Sequence, residues 1–105
     1  MDLGYAVEKF SNAVNEAATS PKSIQQRLAD AYIYDIVRVS EENVPPEIWA
    51  RISKLTDAIT CIPAQGDEGT VIATTSQMSE AEAVTHLKEI VTLKYKIVSA
   101  HEAAN

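Results

Sequence analysis

Leu3, Ala6, Val7, Phe10, Ala13, Val14 and Ala17 recur at i, i+3, i+4 and i+7 without a gap, the spacing of one face of an amphipathic α-helix. Similar periodicity returns in later segments, and the chain offers no pair of strands whose backbones could satisfy each other. The expected fold is therefore all-α: a compact antiparallel bundle of three to four helices with a long C-terminal helix, in a single domain over 1–105. A chain of 105 residues has room for one core of ordinary size.

The first helix spans about 2–19, with Asp2 as its N-cap. Ser20-Pro21 reads as the opening of a second helix, Ser at the N-cap and Pro at the first position, running to about Glu42. Ile24, Leu28, Ala31, Tyr32, Ile36 and Val39 share one side of it, and Ala29 and Ile33 widen that side, which predicts a central helix with neighbours on two sides. Pro45-Pro46 restarts the chain for a third helix, about 46–60, with Ile48, Ile52, Leu55 and Ile59 on one face and Trp49 at its edge. Pro63 and Gln65–Gly69 form the one substantial loop.

Thr70–Thr75 is rich in β-branched residues, which favours a strand. With no second strand in the chain, a short helix or irregular turn is expected, a strand paired across a dimer being the exception. Ser79-Glu80-Ala81-Glu82 is a capping box that opens the last helix, about 80–102. Its core stripe is Ala83, Val84, Leu87, Ile90, Val91, Ile97 and Val98, and Leu93 and Tyr95 extend the apolar arc. That excess reads as a self-association or partner surface. Ile and Val together number 19 against five Leu, so helix propensity is modest and packing must hold these helices.

The net charge is −6. The nine Lys and Arg are scattered along the sequence and offer no basic run for phosphates, so neither nucleic acid nor an anionic membrane is an expected partner. One cysteine, Cys61, excludes an internal disulfide and points to a reducing compartment. Met1–Tyr5 has neither the basic patch nor the apolar stretch of a signal peptide, and no apolar run approaches membrane length, so a cytoplasmic location is expected.

Ala18–Ala31, with its Ile24-x-x-Arg27-Leu28-x-x-Ala31 segment, resembles a loosely defined group of small bacterial helical proteins of unknown function. Pro46-Glu47-Ile48 matches that group's third helix start, and Gly69-Thr70-Val71 a later turn. The resemblance implies a bacterial helical protein and carries no activity.

Candidate chemistry is sparse. Asp35 and Lys94 each interrupt an apolar face. They either meet as a buried charge pair, within the chain or across a subunit boundary, or each reaches solvent, Asp35 through Arg38 and Lys94 by extending its methylenes. Glu82, His86 and Glu89 line one helix side, but one His-x-x-Glu is short of the Glu-x-x-His pairs of a di-iron bundle, and no metal or cofactor is expected. Gly66 and Gly69 lack the Lys-Ser/Thr of a phosphate loop. Cys61 has no base nearby in sequence, leaving no catalytic candidate.

Trp49, Leu93 and Tyr95 are the candidate interface residues. The expected function is a non-catalytic protein-interaction domain, a homodimer or a subunit of a larger complex. One rival is an acidic inhibitor, antitoxin or immunity-type protein that meets a basic partner through Glu41, Glu42 and Glu47. Another is a small ligand-binding or enzymatic bundle with Asp35 and Lys94 in an internal pocket.

Overall fold

The computed structural model describes residues 1–104, and these contain helices and no strands. The five α-helices are α1 (Leu3–Thr19), α2 (Ile24–Tyr34), α3 (Pro46–Ile59), α4 (Gly69–Thr75) and α5 (Glu80–Ala104). Two 3₁₀ turns, Ile36–Arg38 and Glu41–Asn43, join α2 to α3. The count of five exceeds the three to four helices expected, because α4 is a helix in its own right.

The Asp2 carboxylate caps α1, accepting from the Tyr5 amide at 3.1 Å. The helix ends where Pro21 forces the preceding Ser20 into extended backbone, φ −78° and ψ 137°. This corrects the expected start of the second helix. The Ser20 N–H closes α1 on Glu16, the Ser20 hydroxyl accepts from Lys22, and α2 begins three residues later on a Ser23–Gln26 capping box. Arg27 secures the corner by donating to the carbonyls of Ala17 and Lys22, both at 3.1 Å.

The expected end of that helix near Glu42 is also corrected. α2 stops at Tyr34, and Asp35 leaves helical geometry at φ −126° and ψ −63°. The β-branched residues that follow, Ile36, Val37 and Val39, are weak helix formers. Tightening into a 3₁₀ turn buries Ile36 and Val39. The Arg38 guanidinium donates to the Tyr34 carbonyl at 3.2 Å, covering an orphan acceptor of the helix end.

α1 buries Leu3, Ala6, Phe10 and Ala13. It lies chiefly along α5, which buries Ala83, Ile90, Leu93 and Ile97. Two alanines on α1 and one on α5 let the backbones approach closely. The helices are antiparallel, since Gly4 faces His101. α2 is central as its wide apolar face predicts, touching α1, α4 and α5. α5 has 25 residues, about 37 Å at 1.5 Å per residue, and runs most of the 44 Å long axis of the molecule.

The face of α5 is rotated from the expected stripe. Leu93 is fully buried in the core, whereas Val84 and Val91 are exposed. α4 opens at Gly69 with φ +81°, a left-handed conformation that glycine adopts without strain. The Thr74 hydroxyl, buried, accepts from the Ile62 amide at 2.9 Å and fastens the loop onto α4.

Candidate functional site

α3 and α5 run antiparallel and leave a seam open to solvent between them. Arg51 on α3 meets Glu89 on α5, the guanidinium donating from Nε to one carboxylate oxygen at 2.9 Å and from its terminal nitrogen to the other. This fork-on-fork geometry is the preferred arrangement of guanidinium and carboxylate. The hydrogen bonding raises the Arg51 proton affinity further, so its charge is permanent.

On one side of this clamp lies a groove of about 530 Å³ lined by Leu55 and Ala58, by Lys54, His86 and Lys88, and by Thr85 and Thr92. Farther along the seam a second pocket of about 410 Å³ lies between Ile48 and Glu47 on α3 and Tyr95, Lys96 and Ser99 on α5. Five of the α5 residues that line the seam, Thr85, Glu89, Thr92, Lys96 and Ser99, are spaced i, i+4, i+7, i+11 and i+14, one face of a helix. These five are polar, and Tyr95 and Ala100 add apolar lining in the second pocket.

Charge is segregated along this seam. Arg51, Lys54, Lys88 and Lys96 line it, four of the nine Lys and Arg of the chain. Only Glu47 and Glu89 of the fifteen Asp and Glu do so, and Glu89 is bound to Arg51. Beside the seam runs an apolar stripe on α5: Val84, Val91 and Tyr95 are 37%, 38% and 66% exposed. Their spacing of seven and four residues puts them on one side of the helix. Lys88 stands between this stripe and the groove.

The sequence candidates fall in different places. Tyr95 is the exposed end of the stripe, with the Lys94 ammonium over its ring at 5.8 Å from the centroid. Leu93 is a core residue and presents no surface, a correction that follows from the rotation of α5 toward α1. Trp49 is half-buried, packed on the core and lining a different pocket with Tyr32 and Val39. Val84 and Val91, read from the sequence as core, are the surface residues that the pattern missed. The apolar arc of α5 is wider than one packing face, and the sequence does not say which edge stays bare.

Asp35 and Lys94 form no ion pair among the described residues. Asp35 is buried, 5% exposed, and one of its carboxylate oxygens has no hydrogen-bond partner. Nor does it pair with Arg38, which is turned to the Tyr34 carbonyl. Its neighbour is Glu16 on α1. Desolvation raises the proton affinity of Glu16, and the charge of Asp35 raises it further. Neither Asp35 nor Lys94 lines the groove, the second pocket of the seam or the pocket beside Trp49.

His86 lines the groove wall, and Glu89, three residues on, is taken by Arg51. No cluster of three or more His, Cys, Asp or Glu suited to a metal ion occurs among the described residues. Cys61 is exposed just beyond α3, its Sγ 3.6 Å from the Ala58 carbonyl. Glu41, Glu42 and Glu47 are exposed around the second connection. No helix among the described residues is long and apolar enough to cross a membrane. No family model, curated protein or solved structure matches the chain.

Proposed function

We propose that the protein is a non-catalytic interaction domain, working as a homodimer or as a subunit of a larger complex, with the outer face of α5 as its contact surface. The observation that carries this reading is the partly exposed apolar stripe of Val84, Val91 and Tyr95 along the longest helix, beside an open seam. Apolar side chains aligned on one face gain free energy when a partner removes them from water, about 25 cal/mol for each Å² covered. A tyrosine at the edge of such a stripe offers contact area at small entropic cost. The single exposed, unbridged cysteine supports a reducing compartment, the cytoplasm.

Photo-crosslinking in the native cell tests this reading. Benzoylphenylalanine replaces Val91 on the stripe and, as a control, Glu8, which is exposed on α1. A discrete protein adduct from position 91 and none from position 8 is the expected result. No adduct from position 91, or the same adducts from both positions, overturns it.

A further inference from the structure

We propose that the α3–α5 seam is the docking groove for an acidic helical segment of a partner protein. The inference rests on the interaction reading and names the chemistry of the partner.

Length, shape and charge carry it. From Thr85 to Ser99 the two pockets of the seam together span fifteen residues of α5, about 21 Å end to end at a rise of about 1.5 Å, the length of about four turns of a helix. The space lies between two antiparallel helices, so a third helix laid into it contacts both walls. Ala58 offers apolar surface in the groove over a floor closed by the buried Leu55, with the Val91–Tyr95 edge beside it. Lys54, Lys88 and Lys96 have exposed side chains and are absent from every ion pair among the described residues. Arg51 holds Glu89, which takes the one central carboxylate out of competition.

A cationic seam on a chain of net charge −6 selects strongly against a long polyanion. A nucleic acid reaching the seam would lay further phosphates over the acidic remainder of the surface. A short acidic segment ends where the cations end, so charge complementarity selects it.

The test uses three synthetic sixteen-residue peptides sharing one Leu/Ala stripe, their remaining positions being Glu, Gln or Lys. Each is titrated into the ¹⁵N-labelled protein. The Glu peptide is expected to shift the amides of Arg51, Lys54, Thr85, Lys88 and Thr92 and to bind about tenfold more tightly than the Gln peptide. Its binding should weaken steeply between about 0.05 and 0.5 M salt. Lys54→Glu with Lys88→Glu should abolish it, and Lys54→Gln with Lys88→Gln should weaken it while the spectrum shows a folded chain.

Equal binding of all three peptides overturns the proposal, as do shifts centred on α1 or undiminished binding by the double variants. Citrate moving the same amides as strongly assigns the seam to a small anion. Concentration-dependent shifts of those amides without peptide assign it to a second copy. Either outcome overturns the proposal. The position-91 crosslink in the parent protein separates the two readings. If the peptide fails and the adduct persists, only the docking proposal falls. If both fail, the interaction reading falls as well.

Discussion

Arg51 and Glu89 tie α3 to α5 across 38 residues of sequence, the Arg51 Nε donating to the Glu89 carboxylate at 2.9 Å. The pair is partly exposed, so water and salt screen it and its effect on stability is small. Its larger consequence is geometric: it sets the width of the seam and leaves the nearby lysines unopposed. Arg51→Ala and Glu89→Ala should each lower Tm slightly, and the double variant should lose little more than either alone. A double-mutant cycle by calorimetry checks this. Full additivity of the two losses would contradict it.

Asp35 is an unfavourable residue where it stands. A buried polar oxygen without a partner costs about 1–3 kcal/mol. Asp35→Asn removes the charge and supplies a donor beside Glu16, so urea unfolding should show a gain on the order of 1 kcal/mol. Lys94→Met, by contrast, should leave stability unchanged, because that ammonium forms no ion pair among the described residues. A substantial loss for Lys94→Met would restore a role for Lys94 in the charge balance of the fold.

Glu16 gives stability a particular pH dependence. Its proton affinity in the folded chain is raised above the ordinary glutamate value of 4.5, by desolvation first, then by Asp35 and Asp30. The folded state therefore holds this proton more tightly than the unfolded state. Its contribution is fully present below pH 4.5 and is lost as pH rises through the folded value. Glu16 also lies in the last turn of α1, where the helix dipole disfavours a negative charge. Glu16→Gln should be more stable than the parent at pH 7, and the difference should shrink as the pH falls toward 4. A pH series of urea denaturations reads this directly. A difference that grows on acidification would refute it.

Phe10 is fully buried between α1 and its neighbours, so Phe10→Ala should cost about 3–5 kcal/mol. Ser23→Ala removes the side chain that accepts from the Gln26 amide at 3.1 Å, for a loss of about 1 kcal/mol. Gly69→Ala forces a left-handed alanine at φ +81°, for about 1–2 kcal/mol. Chemical denaturation measures all three. An Ala at 69 that leaves stability unchanged would show that α4 can start elsewhere.

The helices that open on strong local signals are legible in the sequence. The Asp2 cap of α1, Pro46 at the start of α3 and the Ser79–Glu82 box of α5 are all where the residues place them, and the capping box forms both of its hydrogen bonds. For 70–75, topology outweighs β-propensity, and the segment is helical. The corner at Ser20-Pro21 misleads because Pro at a first helical position and Pro after a helix end share one dipeptide. The Ser23-x-x-Gln26 box three residues on was the signal that could have decided it. The candidate surface is the least legible part. α5 carries apolar residues around more than half its circumference, and only its packing on α1 sends Leu93 inward and leaves Val84 and Val91 bare. The cationic seam was invisible for a related reason, since Arg51, Lys54, Lys88 and Lys96 are far apart in sequence and meet only when α3 and α5 lie antiparallel.

Affinity capture of the tagged chain from its native cell extract, run beside a Val91→Glu, Tyr95→Glu variant shown to be folded, tests the interaction reading most directly. One stoichiometric protein, a partner or a second copy, should co-elute with the parent chain and be lost from the variant. Equal recovery from both chains, or nothing stoichiometric from either, would contradict it.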